Sequence, residues 1–418
     1  MTTRLSFSRL FEIFLLLCCA SLAVNAQVAS VQTQAPRITF PAGKNLVEVP
    51  FELDRTWIVI PISVNHSRPL RFVLDTGASG ALVNNPAVAD NLHLTISGTT
   101  EVRGSGGGPN PTYSIAKNVN FNVGGVEFDG TLLVPEPTGS HGPSMPSPWD
   151  GVIGRPLLAG LVVELDWVKQ VLKLYPSTYP YAGKGSVLPL TFDEGGRPYT
   201  TATVVIEGET SIPTKLVVDT GANATALWLD VGSHADIKLP HNTISAVLGR
   251  GASGEVRGYI GRVKSLKLGD YQVKDVLASF RDASSGTAGL GGRQGGLGAD
   301  LLSRFKVILD YSRKQMILEP NSNFSDPFEF TMSGLGFMPM RPGAQALRVA
   351  QVFDGSPAKE LGILVGDEIL TIDGRDISEF KGPEVLQIFR LDKGKPLVLT
   401  VKRGTEQFEK TLRLRRFI

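Results

Sequence analysis

The tetrapeptide Asp-Thr-Gly-Ala stands twice in this chain, at Asp75 to Ala78 and at Asp219 to Ala222, each time behind an apolar run, Phe72-Val73-Leu74 and Leu216-Val217-Val218. The separation, 219 − 75 = 144, also carries Gly154 to Gly298, Leu157-Leu158 to Leu301-Leu302, Asp166 to Asp310 and Pro176 to Pro320. One offset that fits both ends means tandem copies of a single unit, and its length rules out a solenoid, whose repeats run about 20 to 50 residues. The chain must fold as two like halves, each delivering one acid at the end of an apolar strand.

Each residue of the motif has a separate use if the two loops meet: a carboxylate for acid/base work, a hydroxyl to lock the loop, and a glycine where backbones crowd. A single copy would be ordinary turn chemistry; two copies predict one shared site holding Asp75 and Asp219. The flanking pattern predicts strands at Trp57 to Val64 and Leu70 to Leu74 in the first half, and at Thr201 to Ile206 and Lys215 to Val218 in the second. β-Branched residues recur in all four, which favours strand over buried helix. Gly151-Val-Ile-Gly and Gly295-Gly-Leu-Gly each run on into further strand-like stretches, Leu161 to Tyr175 and Phe305 to Leu318. Between acid and second motif each half has a glycine-rich segment, Gly104 to Gly108 and Gly249 to Gly254. These read either as flaps that close over a substrate or as plain surface loops; neither has the strand-loop-helix context of a phosphate loop. Pro135 to Pro148 and Ser284 to Gly296 are specificity loops or insertions.

At 418 residues, 42% hydrophobic and 20% charged, the chain has room for about three domains. A formal charge of +2 implies neither nucleic acid nor an anionic membrane as partner, and Arg413, Arg415 and Arg416 read as the solvated side of an edge strand. Arg4 and Arg9 precede a short apolar core, Ile13 to Val24, and Val24-Asn25-Ala26 forms a small-residue cleavage site. Residues 1–26 therefore read as a signal peptide with Gln27 as the mature start, which predicts export to the periplasm or outside the cell with no stable membrane anchor. Residues 27–44 read as a linker or short pro-segment. Both cysteines, Cys18 and Cys19, fall within the signal, so the mature chain holds no thiol for disulfides, nucleophilic catalysis or metal ligation. The five histidines (His66, His93, His141, His234, His241) form no i, i+4 pair and accompany no Gly-x-Ser-x-Gly element. No metal and no cofactor are expected. Asp166 and Asp310 read as turn or lobe-packing residues.

Leu74-Asp-Thr-Gly-Ala-Ser79 and Val218-Asp-Thr-Gly-Ala-Asn223, with Val152-Ile153-Gly154 and Gly296-Leu297-Gly298, resemble the retropepsin-like aspartic proteases over roughly residues 45–320. The resemblance implies a mainly β fold: two retropepsin-like lobes, 45–180 and 187–320, forming a pseudo-dimer within one chain. It implies Asp75 and Asp219 as a catalytic dyad, Thr76 and Thr220 bonded across the lobe junction, and Gly77 and Gly221 allowing the loops to approach. Gly296 stands where a bulkier apolar residue is usual, which predicts looser packing under the second acid. Ala78 and Ala222 stand where pepsin-like enzymes place a hydroxyl that stabilises the ionised acid. Its loss predicts raised dyad pKa values and a weakly acidic to near-neutral optimum.

From about Pro327 the repeat ends. Ser333-Gly-Leu-Gly-Phe-Met338, Gly355-Ser-Pro-Ala-Lys-Glu-Leu-Gly362 and Gly366-Asp-Glu-Ile-Leu-Thr-Ile-Asp-Gly374 resemble a PDZ domain, a small α+β module, over residues 327–418. In that family the Gly-Leu-Gly-Phe backbone receives a peptide's terminal carboxylate. The resemblance makes Gly334, Leu335, Gly336, Phe337 and Leu386, the last on a helix from Pro383 to Phe389, the candidate groove; core packing is the other reading of the apolar members. Phe417-Ile418 has the character to fill such a groove in a neighbour. Together these features point to an exported aspartic endopeptidase acting on protein or peptide substrates, its PDZ domain docking substrates or partners by a C-terminal peptide. The alternative is a catalytically silent peptide-binding adaptor.

Overall fold

The structure, a computed structural model, describes residues 37–418 except 103, 137–147, 182, 230–236, 252, 283–291, 339–343, 381 and 391–394, and leaves the side chains of Arg250, Asp282, Pro383 and Leu386 undescribed. The signal segment, most of the linker and most of both predicted insertion loops lie outside the described residues, as does the Leu386 side chain.

The first lobe is built from β1 (Val47–Pro50), β2 (Trp57–Val64), β3 (Leu70–Leu74), β4 (Ala81–Val83), β5 (Ile96–Glu101), β6 (Thr112–Val123), β7 (Val126–Pro135), β8 (Gly151–Ile153), β9 (Leu161–Asp166) and β10 (Val171–Pro176). The second contains β11 (Ser186–Pro189), β12 (Pro198–Val205), β13 (Ile212–Val218), β14 (Ala226–Leu229), β15 (Thr243–Gly251), β16 (Gly254–Leu268), β17 (Tyr271–Asp282), β18 (Gly295–Leu297), β19 (Phe305–Asp310) and β20 (Gln315–Pro320). In the first lobe the sheet runs β7-β4-β8-β3-β2-β6-β5, and in the second β12-β13-β18-β14-β17-β16-β15. The repeat offset is visible at the centre of each sheet: β8 lies parallel to β3 and antiparallel to β4, as β18 lies to β13 and β14.

The lobes are joined through a further sheet, ordered β11-β20-β19-β9-β10-β1, to which both contribute. At its centre β9 and β19 are antiparallel, with Val162 opposite Asp310, Val163 opposite Leu309 and Glu164 opposite Ile308. Since 164 + 144 = 308, Glu164 faces its own repeat mate, so the pseudo-twofold axis passes through that pair. A duplicated strand that pairs antiparallel with its copy makes the self-complementary contact of a twofold dimer. The apolar cores of both lobes merge into one cluster, while the last domain has its own. Asp166 and Asp310 close the turns after β9 and β19: Asp166 Oδ1 accepts from the Val168 and Lys169 amides, and Asp310 Oδ1 from Ser312 and the Arg313 amide.

The final domain contains β21 (Leu335–Phe337), β22 (Leu347–Val352), β23 (Glu368–Ile372), β24 (Leu397–Arg403), β25 (Glu406–Leu412) and the helix α1 (Gly382–Ile388), with the sheet in order β21-β22-β23-β24-β25. The linker into it is gathered by Arg304, whose guanidinium donates to the carbonyls of Asn323, Phe324, Asp326 and Pro327 and stacks 3.6 Å over Phe328.

Candidate active site

The acids sit where β3 and β13 end, and each strand is registered by the short strand beside it. Asp75 N donates to Ile153 O at 2.9 Å and Asp219 N to Leu297 O at 3.0 Å. A Cβ on Gly154 would overlap the Ala78 and Asp75 carbonyls, and one on Gly298 the Ala224 peptide, so the glycine of each second motif is the contact that lets the acid-bearing turn fold back.

The two turns then interlock. Thr76 Oγ1 donates to Val218 O at 2.6 Å and accepts from Thr220 N at 3.0 Å; Thr220 Oγ1 donates to Leu74 O at 2.7 Å and accepts from Thr76 N at 3.1 Å. Both threonines are buried, at 1% exposure, so four bonds related by the pseudo-twofold hold the loops in a dry environment. Gly77 and Gly221 lie under the opposite acids: a Cβ on Gly77 would stand 2.7 Å from Asp219 Cγ, and one on Gly221 would overlap the Asp75 carboxyl.

The Asp75 and Asp219 carboxyls share a hydrogen bond. Asp75 Oδ1 accepts from Gly77 N at 2.8 Å; Asp219 Oδ1 accepts from Gly221 N at 3.1 Å and Ala222 N at 3.0 Å. Both residues are half-buried. The Asp75 carboxyl is held well above the usual carboxylate range, first by burial, then by the charge of Asp219 and the shared bond, against smaller opposing bonds from the Gly77 and Ala78 amides. Burial, more than a missing hydroxyl, sets that direction.

Several neighbours of the dyad carry no motif signal. Trp57 Nε1 donates across the junction to Gly221 O at 2.6 Å, and Thr56 Oγ1 to Asn223 Oδ1 at 2.7 Å. The Trp57 ring meets Trp149 edge-on at 4.7 Å, and Trp149 Nε1 donates to Asp54. Arg281 and Arg293 lie within electrostatic reach of Asp219; Arg293 stacks 4.8 Å from the Trp228 ring, and the buried Arg281 Nε has no hydrogen-bond partner. Tyr311, also with a buried unpartnered hydroxyl, is pushed up first by burial and then by the charge of Asp75. Gly296 is not loosely packed, contrary to the expectation: a Cβ there would already stand 3.0 Å from Val217 Cγ1, because Val217 joins Tyr199 and Trp228 in a small buried cluster that takes the space.

The two glycine-rich tips meet one another. Gly108 N donates to Ser253 O at 2.6 Å, Ser253 N to Ser105 O at 3.0 Å, and Gly104 N to Ser253 Oγ at 3.1 Å. Gly106 at φ +121° abuts the Ser253-Gly254 peptide so closely that a side chain has no room.

In the last domain, Gly334 takes φ +77° hard against Ser356, and Gly336 lies beside Gln351. Leu335 is a core residue at 3% exposure, and Phe337 packs 5.0 Å from Phe389. β21 pairs with β22 on one side only among the described residues, leaving its other edge open. Phe417-Ile418 is used within the chain itself: Ile418 is 5% exposed, its carbonyl accepts from Arg262 Nε at 3.2 Å, and Phe417 packs 5.9 Å from Phe330.

Comparison with known proteins finds the aspartyl protease family twice, over residues 60–157 and 202–301, and a PDZ domain over residues 348–403. Among solved structures, the aspartic proteinase from Irpex lacteus matches at 13% identity with a TM-score of 0.42, over 67% of this chain and 99% of that one. A Clostridium perfringens protein named as a zinc metalloprotease is 40% identical over 73 residues, 18% of this chain and 21% of that protein, so the match spans about a fifth of that relative's length. Among the described residues no group of three His, Cys, Asp or Glu side chains gathers as a metal site.

Proposed function

We propose that this chain, whose two lobes match the aspartyl protease family and whose last domain matches a PDZ domain, is an exported endopeptidase in which Asp75 and Asp219 hydrolyse peptide bonds through an activated water. The observation that carries this is the shared hydrogen bond of the two carboxyls, each seated over the other lobe's glycine. Two carboxyls this close cannot both ionise cheaply, so one proton serves the pair. One carboxyl of the pair holds that proton and donates it to the scissile carbonyl. The ionised carboxyl draws a proton from a water bound between them, and the resulting hydroxide forms the tetrahedral diol with no covalent enzyme intermediate. The interlocked threonines fix the carboxyl separation, and the meeting glycine tips serve as paired flaps over the cleft. The PDZ domain receives a peptide carboxylate at Gly334 to Phe337, where the open edge of β21 takes an added strand.

The test is cleavage of a peptide library by wild type, Asp75→Asn and Asp219→Asn. Each substitution is expected to lower turnover by about 10²–10⁴-fold, with product ends defining the subsites. A wild type as inert as its variants would leave the adaptor reading instead. Export predicts that the mature protein, recovered outside the cytoplasm, starts at Gln27.

A further inference from the structure

The PDZ domain touches the protease at the flap. With its carboxamide turned as its neighbours require, Gln351 of β22 brackets one peptide unit of β15, accepting from Val247 N at 3.0 Å and donating to Val247 O at 3.3 Å. β15 and β16 form the hairpin whose tip, around Ser253, bonds to the first lobe's tip. Gln351 grips that hairpin beside the point where the β15–β16 register shifts, between Val247 and Gly249. β15 is the edge strand of its sheet, and here a side chain from another domain supplies partners to backbone groups on that edge. A second attachment, Arg262 of β16 to the carbonyls of Ile418 and Phe328, anchors the base of the same hairpin.

The other face of this clasp is the peptide site. Gly336 is paired directly with Gln351 across β21–β22, and that ladder also breaks at this point, between Gly336 and Phe337. A Cβ added at Gly336 would lie 3.1 Å from Gln351 Cβ, so the two residues face the same side of the ladder and a side chain at 336 would press on Gln351. A peptide strand added to the open edge of β21 would therefore act on a segment one residue contact from Gln351, two from Val247, and within one hairpin of the flap tip.

Building on the protease reading above, we infer that the PDZ domain is a latch on the second-lobe flap: a free C-terminal peptide docked on β21 shifts Gly336, loosens the Gln351 clasp on Val247 and lets the flaps part. The domain thereby couples recognition of a chain end to admission of substrate into the cleft. The effector is a peptide with a free carboxylate and an apolar last residue, matched to the Gly334 to Phe337 backbone and to the Phe337 and Phe389 rings beside it. A ligand shifts such an equilibrium only by its differential affinity for the two states, so the peptide must bind more tightly where the Gln351 clasp is released.

The experiment uses the full chain and two readouts. Cleavage of a quenched-fluorescent peptide with an amidated C-terminus is followed with and without a second, non-cleaved peptide ending in a free isoleucine carboxylate, with its amide as control. The acid peptide is expected to raise kcat/KM by about fivefold or more, the lower end of ordinary coupling, and the amide to have no effect. Gln351→Ala is expected to raise the unstimulated rate and to respond by less than about 1.5-fold, against the fivefold of wild type. Gln351→Glu, which keeps the size but cannot donate to Val247 O, should behave alike and covers a folding failure of the alanine variant. In parallel, backbone hydrogen exchange over residues 243–254 is measured in Asp219→Asn, where no turnover is needed: the acid peptide should speed exchange there, and the added Gln351→Ala should abolish the change. If wild type cleaves nothing, the protease reading fails while the exchange arm still decides the latch. An acid peptide that does not bind, one that binds without altering exchange at 243–254, or an equal response in both Gln351 variants and wild type would each overturn it.

Discussion

The two lobes share one strand plan and one acid-bearing turn, yet they diverge a few residues away. At the dyad the symmetry is kept atom by atom: Thr76 and Thr220 make the same two bonds each, and Gly77 and Gly221 each underlie the other's acid. Around the dyad it is broken. Thr56 and Trp57 reach over to Asn223 and Gly221, whereas the strand register of the second lobe puts Gly196 and Arg197 in their places, and Arg197 bonds to Asp193 of its own lobe. Trp149 of the first lobe corresponds to Arg293 of the second, Val152 to Gly296, and Pro156 to Asp300. A shared proton requires two carboxyls in equivalent settings, so the centre holds its symmetry. A peptide has a direction, and walls that receive it are free to differ on the two sides.

The largest effect expected from breaking this comparison is at the glycines. Gly77→Ala and Gly221→Ala each drive a methyl into the opposite carboxyl, and kcat/KM should fall by about 5- to 150-fold, since overpacking of about 1–3 kcal/mol falls directly on the dyad. Equal damage from the two sides is what the central symmetry demands. Next come the threonines: Thr76→Val and Thr220→Val each remove a donor and an acceptor at a buried site, and chemical denaturation should show a loss of about 1–3 kcal/mol for either. The double variant should lose less than the sum, because the four bonds form one network.

Away from the centre the lobes should part company. Trp57→Phe, which deletes only the N–H to Gly221 O, should lower kcat/KM by about tenfold, the equivalent of 1.4 kcal/mol, while Arg197→Lys at the matching position, whose side chain bonds only within its own lobe to Asp193, should leave it within about twofold. The smallest effect is on pH. Asp300 is raised to about 6, chiefly by burial and against its bonds from Thr225 and Leu301. An unfolded aspartate titrates near about 3.9, so the folded state holds this proton more tightly. The associated stability is complete below about pH 4 and is lost as pH rises through about 6. Asp300→Asn should flatten the dependence of the melting midpoint on pH in that window; an unchanged slope would assign it to other groups. For activity, burial and mutual repulsion hold the pair's shared proton toward neutral pH, which places the expected optimum in the weakly acidic to near-neutral range. A pH-rate profile peaking far below about pH 4 would contradict this.

Much of the architecture was legible because it is written in local pattern and spacing. Alternating β-branched runs fix strands such as Trp57–Val64 and Leu70–Leu74, and a motif recurring at one offset tells which loops must meet. Trp57 gave no such sign, since nothing in a strand-starting tryptophan says that its N–H will end on a carbonyl 164 positions away. Gly296 misled for a related reason: its missing side chain is replaced by Val217, a neighbour across the ladder whose filling role is set by Tyr199 and Trp228. Phe417-Ile418 looked free for a neighbouring groove, and Arg262 and Phe330 take it up at home.

The amino-acid order alone determined the duplication, the pair of acids and the appended peptide-binding module, because repeats and glycine-bearing turns act over a few residues and survive in linear form. Tertiary structure alone decided that the twofold axis passes between Glu164 and Ile308, that the first lobe's Trp57 clasps the second lobe's Asp-Thr-Gly turn, and that Gln351 holds β15 at Val247. Those contacts join segments far apart in sequence, and their energy comes from burial and hydrogen-bond geometry that exist only once the chain has closed on itself.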